Sequence, residues 1–201
     1  MTREHKSYTS STSDKPLLGM TIGDLFDQSV ARFPDNEALV SCHQDIRWSY
    51  RQLHKKVEDC AKALMAIGVQ KGDRVGIWSP NNAQWCLTQF ATAKIGAILV
   101  NINPAYRSHE LEYALNQSEC SYIVAADRFK SSSYTQMLNE LAPELANSRP
   151  GELRAKTLPH LKYAITLSDN PESGFISWDQ LQQKSTEVTD EQLVERQGCL
   201  E

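Results

Sequence analysis

Lys71-Gly72-Asp73-Arg74-Val75-Gly76-Ile77-Trp78-Ser79-Pro80-Asn81-Asn82 is the stretch that decides the fold. Lys71-Gly72-Asp73 reads as a turn, and Arg74–Ser79 as a strand that is apolar on both sides. Asn81 or Asn82 then caps a helix carrying Trp85, Phe90 and Ile95, and Gly96 stands at its end. Ala97–Ile102 is an apolar run of strand length. A helix capped by Ser108 carries Leu111, Ala114 and Leu115. Ser121–Ala126 is a strand, Tyr134 to Leu141 a helix, Tyr163–Leu167 a strand and Ile176–Gln183 a short helix. Apolar strands alternating with helices predict an α/β fold with a mostly parallel sheet, covered on both faces and joined by right-handed crossovers.

Upstream, Thr21 caps a helix with Ile22, Leu25, Phe26, Val30 and Phe33 at helical spacing, broken at Pro34-Asp35-Asn36. Ala38–Cys42 and Ile46–Trp48 read as a hairpin. Ser49 and Gln52 form a capping box for a helix that Gly68 stops. Residues 1–20 are polar and rich in hydroxyls, and read as a disordered lead-in. With one Arg (Arg3), two acids (Glu4, Asp14) and no apolar core, they make no convincing targeting segment. Residues 21–184 read as the folded unit. Residues 185–201 read as a polar linker with a short helix after Thr189.

The chain has 201 residues, 40% of them apolar, with nine Gly and eight Pro. That composition excludes collagen-like, low-complexity and wholly disordered chains. No apolar stretch is long enough for a transmembrane helix. A net charge of -4 gives no electrostatic footprint for nucleic acid. Five Cys without a CxxC argue against a disulfide framework or a zinc site, and for reduced, buried thiols.

The sequence holds no phosphate loop of the GxxxxGK[ST] type, no GxGxxG and no GxSxG elbow. Gly68, Gly72 and Gly76 fall at a helix stop, a turn and a strand, so turn geometry accounts for the first two. None of His5, His43, His54, His109 and His160 pairs at metal-ligand spacing. His54, beside Lys55 and Lys56, reads as solvated. Cys42-His43 would point to opposite faces of a strand and would not form a thiolate–imidazole pair. Trp78 and Trp85 read as core aromatics rather than, with Trp48, a stacking platform. Residue chemistry alone therefore gives a scaffold with no reactive centre.

Four stretches together carry a resemblance. They are Trp48–Leu53, Lys71–Asn82, Gln89–Arg107 and Glu110–Asn116, in that order and at those separations. They resemble the N-terminal part of AMP-forming acyl-CoA synthetases of the adenylate-forming superfamily, nearest the mitochondrial medium-chain branch. The resemblance covers about residues 21–183. It implies the first αβ subdomain of the large domain of a fatty acid–CoA ligase. Such an enzyme joins a fatty acid to ATP as an acyl-adenylate, with magnesium, and then transfers the acyl group to CoA. The family's phosphate loop, its Thr-Glu motif, its ribose-binding Asp and its catalytic Lys have no counterpart in this sequence. The resemblance therefore places no catalytic, cofactor-binding or metal residue here, and no substrate role is given to Asn101, Pro104 or Tyr106. It implies a mitochondrial location, with the cytoplasm as the alternative, and a fragment that is inactive by itself. Two other readings stand beside it. One is a naturally truncated, non-catalytic product that associates through an exposed subdomain face. The other is a free-standing flavodoxin-like module that binds a ligand after Ser79 or Asn103.

Overall fold

The computed structural model describes residues 17–200. Most of the stretch read as a lead-in, and His5 with it, lies outside the described residues.

Helix α1 (Ile22–Arg32) opens where the Thr21 hydroxyl accepts from the Asp24 amide at 3.1 Å. Strands β1 (Glu37–Ser41) and β2 (Ile46–Ser49) form the expected antiparallel hairpin. Cys42 is not in the strand. Cys42–Gln44 is a turn of 3₁₀ helix, closed by Asp45 with φ of 52°. Gln44 ties this turn to the helix beyond β3, accepting from the Ala83 amide at 2.7 Å. The Ser49–Gln52 capping box then starts α2 (Tyr50–Ala66).

Strand β3 (Arg74–Trp78) is followed by α3 (Ala83–Ile95), capped by Asn82 and ended by Gly96 in the left-handed region at φ 73°. Next come β4 (Ile98–Ile102), α4 (Ser108–Gln117) and β5 (Tyr122–Ala125). Ser108 is not the cap of α4. It is the first helical residue, Arg107 is the cap, and Glu110 reaches back to accept from the Arg107 amide at 3.0 Å. A two-residue hairpin, β6 (Arg128–Phe129) and β7 (Ser132–Ser133), leads into α5 (Tyr134–Leu141).

Strand β8 (Tyr163–Thr166) is followed by a strand the sequence did not reveal, β9 (Phe175–Ser177). The short helix expected from Ile176 starts instead at Trp178 as α6 (Trp178–Gln183), because Ser177 and Gln180 form its capping box. Thr189 and Gln192 form another for α7 (Asp190–Gly198). The segment read as a polar linker is therefore largely built into the fold. Leu193 is buried among residues of α1, α2 and α3, and Lys62 of α2 pairs with Asp190 at 2.7 Å.

The main sheet has five strands in the order β4-β3-β5-β8-β9, every pair parallel. The period-2 alternation of strands divides its side chains between two cores. Val75, Ile77, Val124, Ile165 and Ile176 face α1, α2, α3, α6 and α7. Trp78, Ile123, Ala125, Ala164 and Phe175 face α4 and α5. Gly76 lies on the second face, where a Cβ would stand 3.0 Å from Ile102.

Candidate functional site

In an open parallel sheet, ligands bind outside the carboxyl ends of the strands, where the strand order reverses. Here β3 leads to β4 on one side, and the chain returns to β5 on the other, so the reversal lies between β3 and β5. The loops after β3, β4 and β5 are therefore the candidate site.

Their polar groups are directed at one another. The Asn82 side chain accepts from the Trp85 amide at 2.8 Å and donates to the Ser79 hydroxyl at 2.7 Å. Ser79 in turn donates to the Pro80 carbonyl at 2.8 Å. The Asn103 side chain accepts from the Ala105 amide at 2.9 Å. The Ala126 amide donates to the Trp78 carbonyl, and the Tyr134 amide to the Asp127 carbonyl, both at 3.0 Å.

Trp78 and Tyr134 stack between these loops, with ring centroids 3.7 Å apart and planes 10° from parallel. Both rings are fully buried. Trp78 Nε1 donates to the Asn103 carbonyl at 3.1 Å and the Tyr134 hydroxyl to the Pro104 carbonyl at 2.5 Å. The indole and the phenol thus bolt the β4 loop onto the ends of β3 and α5. This arrangement positions a wall beside the carboxyl ends of β3, β4 and β5.

The other residues weighed from sequence are spread over several elements, among them the 3₁₀ turn beside α3 and the first turn of α4. His43 lies 3.4 Å from the Ser41 hydroxyl, and Cys42 is exposed beside it in the 3₁₀ turn, so the opposite-face argument does not apply. His109 and His160 are exposed. Trp85 packs against the first core as expected, and Lys56 Nζ sits 4.8 Å from the Trp48 ring centroid. All five cysteines are free thiols, but only Cys60 and Cys120 are fully buried. Cys42 and Cys199 are exposed. Burial pushes the Cys60 thiol up to about 12.

His54 is not a solvated side chain. Its Nε2 lies 2.9 Å from Asp27 Oδ1, and Glu58 approaches its other ring nitrogen at 3.5 Å. The same Asp27 carboxylate accepts from Lys94 Nζ at 2.6 and 2.8 Å and from Gln197 Nε2 at 2.8 Å. One carboxylate therefore joins α1, α2, α3 and α7. Lys94 is 2% exposed, so its charge is buried and balanced. Burial opposes ionisation of Asp27, but the hydrogen bonds from His54, Lys94 and Gln197 outweigh it and hold the carboxyl well below its usual range. Sequence reasoning missed this cluster. Its one local signal was a lysine inside the otherwise apolar end of α3. The cluster lies in the helical layer, and we assign it a structural role.

Among the described residues, no three His, Cys, Asp or Glu side chains converge as a metal-ligand set. No described helix is long and apolar enough to cross a membrane.

The sequence profile of the AMP-binding enzyme family matches residues 26–193. The chain belongs to that family. It is 40% identical over 185 residues to the acyl-CoA synthetase YngI of Bacillus subtilis (strain 168), whose name carries the qualifier of an inferred activity, covering 92% of this chain and 34% of that protein. It is 42% identical over 175 residues to the mitochondrial medium-chain acyl-CoA ligase ACSF2 of Mus musculus, covering 87% of this chain and 28% of that protein. The fold matches a crystal structure assigned as a long-chain-fatty-acid CoA ligase from Rhodopseudomonas palustris. That match has a TM-score of 0.66 at 26% identity and covers 81% of this chain and 36% of the other. The resemblance read from the four sequence stretches is thus confirmed at the level of the family and of the α/β fold. The chain spans about a third of the length of the curated relatives it matches.

Proposed function

We propose that this chain is the N-terminal part of an AMP-forming fatty acid–CoA ligase that favours medium-chain acids. In the whole enzyme a fatty carboxylate oxygen attacks the α-phosphorus of ATP, and pyrophosphate leaves. The CoA sulfur then attacks the acyl carbon, AMP leaves, and the thioester remains. The observation that carries the reading is the 42% identity, over 175 residues, to a medium-chain acyl-CoA ligase.

In this reading residues 21–184 are the first αβ subdomain, and the chain itself supplies no catalytic, nucleotide-binding or metal residue. The missing glycine pattern of a phosphate loop supports that assignment. ATP, magnesium and CoA are then held by parts of the enzyme outside this chain, and the chain by itself is inactive. A mitochondrial location follows the ACSF2 relatives, whereas the relative from Bacillus subtilis fits the cytoplasm.

The test is acyl-CoA formation by the product of the complete reading frame, with ATP, magnesium, CoA and a series of acids from hexanoate to octadecanoate. Octanoate turning over with the highest kcat/KM supports the proposal. A preference for the longest acids overturns the medium-chain assignment, and no thioester with any acid overturns the ligase assignment. Fractionation of cells expressing that product tests the location, and recovery in the cytosol rejects the mitochondrial reading.

A further inference from the structure

A cleft of about 370 Å³ opens between the β1–β2 hairpin, α2, α3, α6 and the 3₁₀ turn that follows α6 (Lys184–Glu187). It shares no lining residue with the loops after β3, β4 and β5. Its volume lies at the small end of ligand pockets, room for one ring and a polar group. Trp48 of β2, Leu87 of α3 and Trp178 of α6 form its apolar walls. Local contacts set these walls in place. The Ser177 cap starts α6 at Trp178. The Gln44 side chain donates to Gln84 Oε1 at 2.9 Å and so ties the hairpin turn to the first turn of α3. Two indoles on one small cleft suit a flat aromatic body.

The polar groups around the cleft want acceptors. Gln84 spends its carbonyl oxygen on Gln44, and its amide nitrogen has no partner among the described residues. Gln182 Nε2 is fully buried and also has no hydrogen-bond partner among the described residues. Its polar neighbour is the Cys60 thiol, and sulfur is a weak acceptor. A buried donor left unpaired is costly. Turned over about its last side-chain bond, the Gln182 amide would give its oxygen to the Cys60 S–H and its nitrogen to the cleft. Lys56 makes no ion pair among the described residues, and its Nζ stands 4.8 Å from the Trp48 ring centroid. The acids of the cleft are spent or peripheral. Asp59 already holds Lys55 at 2.9 Å and Lys62 at 3.8 Å, and Asp179 is exposed in the first turn of α6. The amino end of α3, to which Gln84 belongs, further favours negative charge.

We infer that this cleft binds a small aromatic carboxylate. The ring lies against Trp48 and Trp178, and the carboxylate oxygens accept from Lys56 Nζ and from the side-chain amides of Gln84 and Gln182. The inference uses the described residues alone and does not depend on the ligase reading. A cation would meet the unpaired Lys56 and find Asp59 already occupied.

Calorimetric titration of the protein from its complete reading frame, with benzoate as the probe, tests this site. The expected result is saturable binding that excess octanoate does not displace and that is weaker by about tenfold or more for benzamide. Lys56→Gln alters an exposed side chain. It should weaken benzoate by about tenfold and leave the melting temperature unchanged. Gln182→Leu keeps the volume and removes the unpaired donor, so it should weaken benzoate while the melting temperature stays level or rises. No binding of benzoate means that the cleft holds water alone, and overturns the inference. Displacement by octanoate, or unchanged affinity in Lys56→Gln, places benzoate elsewhere and overturns it too. Benzamide binding as tightly as benzoate, or benzylammonium binding more tightly, rejects the carboxylate assignment. A lower melting temperature in Gln182→Leu contradicts the unpaired state of its amide.

Discussion

The two faces of the sheet are sealed by different chemistry. On the α4 and α5 side the closure is largely apolar, with Trp78 stacked on Tyr134. On the other side four helices meet at one carboxylate, with Lys94, His54 and Gln197 around Asp27. The first kind of closure is non-directional and draws on buried area. The second is directional. It adds little net stability over an apolar substitute, but it specifies which helices meet and in what register, and it is costly to break from one side.

Substitutions on the two faces should therefore behave differently. Trp78→Ala removes the largest fully buried ring and one of the two anchors of the β4 loop. It should cost about 3–5 kcal/mol in urea unfolding. A cost below about 1 kcal/mol would show that the stack does not organise the second core. Asp27→Ala leaves Lys94 buried without its partner. The cost should sit near the lower end of roughly 3–5 kcal/mol, since the Asp27 side chain keeps 34% exposure. The double replacement Asp27→Leu with Lys94→Met should recover most of that loss, whereas no second apolar change rescues Trp78→Ala. Failure of the double replacement to recover stability would mean that the clamp contributes more than register.

Acid should act through Asp27 on the first face, and alkali on both faces, since burial also pushes the Tyr122 hydroxyl of the first core up to about 12. Asp27 is held below its unfolded range, so the unfolded chain takes up its proton first. The contribution of Asp27 is whole above about pH 5 and is lost as pH falls from about 4. In Asp27→Asn that part of the acid limb should vanish. On the other face burial pushes the Tyr134 hydroxyl up to about 12. The unfolded phenol ionises near 10, so stability should fall as pH rises from about 10 to 12. Tyr134→Phe should remove one share of that limb, with Tyr122 supplying another, and cost about 0.5–1.5 kcal/mol at neutral pH, for the lost bond to the Pro104 carbonyl. The smallest effect concerns thiols. Cys42 and Cys199 should react rapidly with a thiol reagent, while Cys60 and Cys120 should react only at the rate of unfolding. Rapid reaction of Cys60 would contradict the closure of the first core.

Most of this architecture was legible because its signals are local. Ser49 with Gln52, Asn82 and Gly96 each mark a helix end through contacts within four residues. The runs Arg74–Trp78 and Tyr122–Ala125 read as buried strands from composition alone. What was illegible depends on distant partners or on very short elements. Phe175–Ser177 is three residues long, too short to show alternation, and it runs directly into the Ser177 cap. His54 looked solvated because its neighbours in sequence are lysines, while its partner Asp27 stands 27 positions away. Lys94 lies 67 positions from the same carboxylate, so no window of sequence shows why it is buried. The helix after Thr189 was legible from its capping box, but its docking through Leu193 and Gln197 was not. At the candidate site, the missing glycine pattern could be read from the sequence. The stack that fills the space could not, because Trp78 and Tyr134 are 56 residues apart by their numbers.

We propose that this chain is a scaffold within a ligase family and carries no reactive centre of its own. ATP–pyrophosphate exchange by the purified 201-residue chain, with octanoate and magnesium, tests it most directly. The account predicts no exchange above that of heat-denatured protein. Octanoate-dependent exchange that rises in proportion to the concentration of the folded chain would contradict it.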